Sequence, residues 1–179
     1  LLQFRSASTV PVVVTTALRH IKALTSDLKG GVWVYDLDEG LMRWTGGRLE
    51  PFSLPAQFRD MRITALHVDR AARLWMGFNQ GQVAVAVSMS DVRTYGRPEG
   101  LDVGGCRTIY EDRDGVLWIG GGRGLSRFAD GRFISARLSQ LATESVTGIV
   151  EDDGNGLWVG TASGIVHISR KDWKDRNAP

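Results

Sequence analysis

The stretch "EDRDGVLWIGGGRGLSRFADGRF" at residues 111–133 decides the fold, because its pattern recurs along the whole chain. Trp118 lies near its centre, and the tryptophans that share its context are 42, 43 and 40 residues apart: Trp33, Trp75, Trp118 and Trp158. A repeat near 40 residues that is built from strand-like segments is typical of a propeller of β-sheet blades.

Three further positions keep a fixed distance from each tryptophan. An aspartate lies six residues before it (Asp27, Asp69, Asp112 and Asp152), and a branched aliphatic residue lies nine before it (Leu24, Leu66, Ile109 and Ile149). Glycine lies two residues after it in three repeats (Gly77, Gly120 and Gly160), with Tyr35 as the exception. Because the aspartates recur in every repeat and stand beside turn-forming residues, we interpret them as turn stabilisers and not as metal ligands.

The tryptophan segments "VWV", "LWM", "LWI" and "LWV" are unbroken apolar triplets. A strand with one solvated face alternates apolar and polar residues, so the triplets predict a second strand that is covered on both faces. The tryptophans are therefore predicted to pack between blades. The fold class is all-β, a propeller with four-stranded antiparallel blades.

The repeat count predicts an incomplete propeller of about four blades. The predicted units are the second half of a preceding blade at 1–19, blades at 20–60, 61–103, 104–144 and 145–170, and a charged tail or linker at 171–179, the last blade lacking its outer strand. We interpret the chain as a segment of a longer propeller. In the alternative, "PVVVTT" at 11–16 completes the fourth blade and closes a four-bladed ring.

Composition and motifs argue against several functions. The 179 residues carry a net charge of +2 with scattered arginines, which does not favour nucleic-acid binding. The most apolar early stretch, "VPVVV" at 10–14, is too short to span a membrane. The chain has one cysteine, and its three histidines share no metal-ligand spacing. We predict no cofactor, no metal site and no catalytic residue.

A ligand site on a propeller is expected on one rim, where the loops differ from blade to blade. The loops between second and third strands contribute polar residues to that rim, and so do the beginnings of the first strands. The candidate ligand-binding residues are Tyr35, Asp36, Asn79, Gln80 and Arg123 from the loops, and Lys22 and Arg107 from the first strands. The alternative is that these are ordinary solvated loops.

The segments "EDRDGVLWIGGGRGLSRF" at 111–128 and "EDDGNGLWVGTASGIVHI" at 151–168 resemble the two-component regulator propeller repeat, D-x-x-G-x-L-W-x-G-T-x-x-G-L-x-x-F. The phrase "YGRPEGLDVGGCRTIYED" at 95–112 adds to the likeness. The first and second repeats depart from the pattern, the first through Tyr35 and the second through the missing turn glycine in "DRAARLWMGFNQGQ".

The resemblance implies a non-catalytic sensor segment in the periplasmic or extracytoplasmic portion of an inner-membrane receptor. Its ligand would be a small molecule or an oligosaccharide, and its partners would be the remaining blades and the signalling domains of the same parent chain. No membrane span is expected in this segment, and homodimer formation is left open. The alternatives are a protein-interaction scaffold and a propeller enzyme of the sialidase or lyase kind.

Overall fold

The computed structural model describes residues 2–4, 11–13, 18–88, 91–136, 141 and 144–175, and within them the chain is almost entirely β-structure. The strands are β1 Leu2–Phe4, β2 Pro11–Val13, β3 Ile21–Ser26, β4 Val32–Asp36, β5 Gly40–Thr45, β6 Arg48–Pro51, β7 Ile63–Val68, β8 Leu74–Phe78, β9 Val83–Ala86, β10 Val92–Tyr95, β11 Cys106–Glu111, β12 Leu117–Gly121, β13 Gly124–Ala129, β14 Arg132–Ser135, β15 Val146–Glu151, β16 Leu157–Thr161 and β17 Ile165–Ile168. Short 3-10 turns lie at Ala56–Phe58 and Arg97–Glu99, and helix α1 spans Arg170–Asp175.

The strands form antiparallel sheets in chain order. Strands β3–β6, β7–β10 and β11–β14 make three four-stranded sheets, which we call blades 1, 2 and 3. Strands β15–β17 make a three-stranded blade 4, and β1 pairs with β2 in a two-stranded half blade. The predicted all-β, incomplete propeller is confirmed. The ring-closing alternative is wrong for the described strands, because β2 pairs with β1 and not with β17. The exact blade boundaries stay a prediction.

The repeated aspartate stabilises the hairpin formed by the first two strands of a blade. Asp69 is 2% exposed, and its carboxylate accepts hydrogen bonds from the Trp75 indole at 2.8 Å, the Arg73 backbone at 2.9 Å and the Arg73 guanidinium at 2.6 Å. The indole bond recurs between Trp118 and Asp112 at 2.9 Å. The aspartate thus stabilises the turn, as the repeat pattern predicted, and in blades 2 and 3 it also orients the tryptophan, which the pattern did not predict.

The tryptophans of blades 2 and 3 pack against the following blade. Trp75 is 1% exposed, and its ring lies 5.3 Å from that of Phe128 in blade 3. Gly77, two residues later, lies against the first strand of blade 3. Glycine is required there because a Cβ would lie 2.2 Å from the Cys106 sulfur. Side chains of this kind build one apolar cluster between each pair of neighbouring blades.

Trp158 does not pack between two blades in the part of the chain that the structure describes. Its side chain is 44% exposed, and two apolar neighbours on blade 4, Val150 and Ile165, are 59% and 73% exposed. In blades 2 and 3 the same face is covered by the following blade, and the described residues place no further blade against blade 4. The repeat pattern predicts the tryptophan strand, but it does not predict whether a following blade covers that strand.

Arginine side chains join successive blades at their turns. The Arg70 guanidinium donates to the backbone oxygens of Asp112 at 2.7 Å and Arg113 at 2.8 Å, while its backbone N–H donates to the Glu111 carboxylate. Arg113 repeats this arrangement on blade 4, with its side chain 3.0 Å from the Asp152 oxygen and its N–H bonded to Glu151. We call this arrangement the arginine latch. It explains the Glu-Asp-Arg order at 111–113, which the sequence analysis had not explained.

Acidification is expected to destabilise the chain through these aspartates. Burial raises the pKa of Asp69, but hydrogen bonds from Trp75 and Arg73 outweigh it and hold the pKa below its ordinary 3.8. The folded state then binds a proton at Asp69 less readily than the unfolded state does. The stabilisation that Asp69 contributes is therefore present above pH 3.8 and is lost as the pH falls below this value. Urea midpoints between about pH 6 and 3 test this, and Asp69→Asn should lose less stability on acidification than the wild type. An unchanged midpoint would contradict it.

Candidate functional site

A polar pocket of about 440 Å³ lies at the rim between blades 2 and 3. One wall is the loop from β8 to β9, with Gln80 and Gln82, and the other is the connection from β10 to β11. Arg123, from the β12–β13 turn, completes the lining. We call this cavity the rim pocket. It lies where the sequence analysis placed the variable loops.

The connection at 96–105 is fixed by buried residues that alternate with exposed ones. Leu101 and Val103 are 0% and 1% exposed and belong to the apolar cluster between blades 2 and 3, whereas Asp102 between them points to solvent. The Gly96 N–H donates to the Glu99 carboxylate at 2.7 Å, which closes the short 3-10 turn before Leu101. Buried anchors on both sides therefore fix the position of the Asp102 carboxylate.

Asp102 lies between two guanidinium groups. Its Oδ1 accepts a hydrogen bond from Arg123 Nη2 at 2.5 Å and lies 3.3 Å from Arg97 Nε. Arg123 is further fixed by its backbone N–H, which donates to the Val103 oxygen at 2.7 Å. Glu99 also lines the pocket, so its two arginines and two carboxylates balance in charge. Each guanidinium carries five N–H groups and keeps donors that the single Asp102 oxygen does not use. The pocket is thus suited to a ligand rich in hydroxyl or carboxylate oxygens.

The aromatic ring of Tyr95 connects the rim pocket to the apolar core. Tyr95 lines the cavity and packs on Trp75, Phe128 and Phe133, with ring centroids 5.0 to 5.9 Å away. This cluster belongs to the core between blades 2 and 3. The polar wall therefore stands on rigid side chains, as a preformed site requires.

A second cavity, of about 470 Å³, lies beside the rim pocket at the first strands. Its lining includes Thr64, Asn79, Arg107 and Thr147, and we call it the inner pocket. The loops that separate the two cavities approach closely, because a Cβ on Gly105 would lie 2.7 Å from the Asn79 backbone oxygen. Thr64 donates its hydroxyl to the Cys106 oxygen at 2.6 Å, so this polar residue also joins two neighbouring first strands.

The predicted ligand-binding residues do not form a single site in the structure. Gln80 and Arg123 line the rim pocket, and Asn79 and Arg107 line the inner pocket. Lys22 is exposed on β3 and lines neither cavity. That any of these side chains contacts a ligand stays a prediction.

Two of the predicted site residues are buried, and their assignment to the rim is corrected. Tyr35 is 8% exposed and belongs to the core between blades 1 and 2, because β4 continues to Asp36 and the residue lies within the sheet. Asp36 is 0% exposed, and its carboxylate accepts the backbone N–H groups of His20 and Asp38 at 2.7 and 2.9 Å. Both residues are structural.

Sequence reasoning missed Arg97 and Asp102 as site residues. Both lie in "YGRPEGLDVGG", which had been used only for its likeness to a repeat family. The usable signal was the charged residue between two apolar ones in "LDV", within a connection that leads to the same rim as the β12–β13 turn. That signal shows which side chain faces outward, but not which arginine it meets.

The described residues show little catalytic chemistry. Burial raises the pKa of the Cys106 thiol to about 12, so it stays protonated near neutral pH and is a poor nucleophile. No group of three histidine, cysteine or acidic side chains suited to a metal ion occurs in the described part of the chain. Two histidines instead pair with single aspartates, His20 with Asp38 and His167 with Asp152.

Meander blades that pack through aromatic clusters define an open β-propeller segment. Within it, residues 100–123 match the family model described as two component regulator propeller. This match confirms the resemblance that the repeat motif indicated. The matched stretch includes both Asp102 and Arg123, so it forms much of one wall of the rim pocket.

Solved structures share the fold. The extracellular domain described as that of a hybrid two component system from B. thetaiotaomicron superposes with a TM-score of 0.71 at 17% identity, over 92% of this chain and 24% of that one. A catalytically inactive virginiamycin B lyase from Staphylococcus aureus with quinupristin gives 0.67 at 17% identity, over 86% and 53%. YCF48 bound to a D1 peptide gives 0.68 at 14% identity, over 83% and 50%. The chain thus spans a quarter to about half of these proteins.

No curated protein sequence is similar enough to this chain to count as a relative. Within the described residues, no helix has the length and apolar character needed to cross a membrane. The comparisons therefore establish the fold and the repeat, and they include both extracellular domains of two component systems and a lyase.

Proposed function

We propose that this chain is a non-catalytic, ligand-sensing segment of a two-component system sensor, which binds an extracytoplasmic ligand for a downstream kinase or regulator module. The observation that carries the proposal is the rim pocket, where Arg97 and Arg123 flank Asp102 on a rigid loop. The match of residues 100–123 to the two component regulator propeller model supports the signalling context. The likeness to extracellular sensor domains supports the location outside the cytoplasm.

The pocket lining favours an oligosaccharide, whose hydroxyl and carboxylate oxygens can accept hydrogen bonds from the two guanidinium groups. Guanidinium groups bind carboxylates strongly, and the glutamine and threonine side chains at Gln80, Gln82 and Thr94 can exchange hydrogen bonds with hydroxyl groups. The volume of about 440 Å³ is in the usual range for small-molecule sites. The ligand would meet a preformed polar surface, and its binding would need little ordering of the protein.

The lyase among the structural neighbours favours one alternative, a propeller enzyme. The buried, protonated Cys106 thiol does not support nucleophilic catalysis. A protein-interaction scaffold would also use the rim, and the peptide-bound propeller among the neighbours shows that such a fold can bind a peptide. Binding without turnover separates the sensor from the enzyme.

The test is a binding screen with acidic and neutral oligosaccharides, combined with the substitution Arg123→Ala. A charge-assisted hydrogen bond contributes about 1.5 to 3 kcal/mol, so the substitution should weaken an acidic ligand by roughly 10- to 150-fold. Isothermal titration calorimetry measures the affinity. Arg48→Ala, at an exposed arginine on β6 that lines none of the cavities described, is the matched control and should leave binding unchanged.

Three results would count against the sensor proposal. They are the absence of binding across the panel, an affinity that Arg123→Ala does not change, and turnover of a bound oligosaccharide. Turnover would favour the enzyme, whereas capture of a defined peptide without saccharide binding would favour the scaffold.

A further inference from the structure

A third cavity, of about 340 Å³, lies on the opposite rim of the propeller, between blades 1 and 2. The turns that join first to second strands and third to fourth strands meet there, because the strands of each blade run antiparallel. Its lining includes the half-buried rings of Trp33 and Phe52 and the exposed side chain of Val87. We call this cavity the base cleft. It shares no residue with the rim pocket.

The base cleft occurs where the arginine latch is missing. Blades 2 and 3, and blades 3 and 4, are joined at this rim by Arg70 and Arg113, which reach across to the turn of the following blade. The corresponding position in blade 1 is Leu28, which is 58% exposed, and the glutamate position of blade 2 is Val68. Neither can form the latch, and the rim between these two blades stays open.

The aromatic wall of the base cleft is held in place by its own contacts. Trp33 and Phe52 meet edge to face with ring centroids 5.1 Å apart, and the Arg43 guanidinium lies 5.5 Å from the Trp33 ring. Arg43 is fixed in turn by the Asp27 carboxylate, which accepts its Nε at 3.0 Å and its Nη2 at 2.5 Å. In blade 1 this arginine therefore takes the carboxylate oxygen that binds the tryptophan in the other blades.

The charges around the base cleft have both signs. Asp27 and Arg43 neutralise each other, whereas Lys29 and Glu50 line the cavity as exposed side chains and form no ion pair within the described residues. A ligand that complements this lining has a flat apolar body together with one negative and one positive group. We propose that the base cleft binds a small aromatic zwitterion, an aromatic amino acid being the chemical class that fits.

The experiment is calorimetric titration of the full chain with L-phenylalanine, phenethylamine and 3-phenylpropionate. Saturable binding of L-phenylalanine is expected, with about two- to fivefold weaker binding of the two compounds that lack one charge, since each retains only one of the two exposed ionic contacts. Val87→Phe fills the opening of the cleft and should abolish binding. Val87→Ala is the matched control and should retain it, while the melting temperatures of both variants show whether the fold is intact.

The remaining outcomes overturn the proposal. Absence of saturable binding at millimolar amino acid would do so, as would equal affinity for all three compounds or binding unchanged in folded Val87→Phe. Loss of phenylalanine binding in Arg123→Ala would place the ligand in the rim pocket instead. Because the two sites lie on opposite rims and have separate variants, failure here leaves the oligosaccharide proposal untouched.

Discussion

Replacing Trp75 by alanine is expected to lower the free energy of unfolding by about 3 to 5 kcal/mol, the usual cost of removing a large aromatic side chain from a core. Trp75 is 1% exposed, and its ring contacts Tyr95 of its own blade and Phe128 of the next. The substitution leaves a cavity between blades 2 and 3 and also removes the indole N–H that the Asp69 carboxylate accepts. Urea unfolding followed by circular dichroism measures the change.

The matched control is Trp158→Ala, the same repeat position in blade 4. Trp158 keeps the hydrogen bond to its aspartate, Asp152, at 3.0 Å, but its side chain is 44% exposed. Its removal should cost clearly less, because the side chain buries less apolar surface and its removal leaves no closed cavity. Equal losses at the two positions would contradict the arrangement in which each tryptophan is buried by the blade that follows.

The repeat pattern predicted the fold because each blade is a local unit. The spacing of the tryptophans and the turn aspartates determines four strands whose pairing is between sequence neighbours, and the structure confirms these sheets. Contacts between blades were harder to predict. The arginine latch joins Arg70 to the turn around Asp112, some 40 residues away, and it depends on residues outside the motif. The exposure of Trp158 is a second example, because it depends on an adjacent blade and not on the sequence of its own repeat.

The candidate site was predicted less completely than the fold. Loop residues were assigned to the rim by their position after the tryptophan, and this rule placed Gln80 and Arg123 in the rim pocket. It failed at Tyr35 and Asp36, where β4 extends to the end of the predicted loop and buries both side chains. The rule also omitted Asp102, whose orientation depends on the burial of its two neighbours. Pocket chemistry therefore depends on strand ends and on contacts between loops, which the repeat alone does not encode.

The two rims of the propeller differ for a physical reason. On one rim the blades are joined by loops of variable length and sequence, and cavities with polar linings form between them. On the other rim the turns are short, and the arginine latch closes the gap between blades 2 and 3 and between blades 3 and 4. The base cleft is the place where this closure fails. At this interface Leu28 and Val68 occupy the latch positions, and a cavity lies between the blades.

Replacing Asp69 by alanine should lower the free energy of unfolding by at least about 1 to 3 kcal/mol, the cost of one unsatisfied buried donor. A second donor, which is partly buried, adds to the loss. The donors are the Trp75 indole and the Arg73 backbone N–H, which lie 2.8 and 2.9 Å from the carboxylate. The Arg73 guanidinium loses its ion pair as well, but that side chain is 41% exposed and regains water. Urea unfolding at pH 7 measures the loss.

Asp152→Ala in blade 4 removes the same kind of turn bond at a position that is more exposed than Asp69. Its carboxylate accepts the Trp158 indole and the backbone N–H groups of Gly154 and Gly156, and water can replace it at the exposed donors. A clearly smaller loss than for Asp69→Ala is therefore expected, although the hydrogen bonds have similar lengths. If the two substitutions proved equally costly, the stability of the hairpin would come from the turn geometry alone. Burial by the following blade would then have no part in the strength of the bond between aspartate and tryptophan.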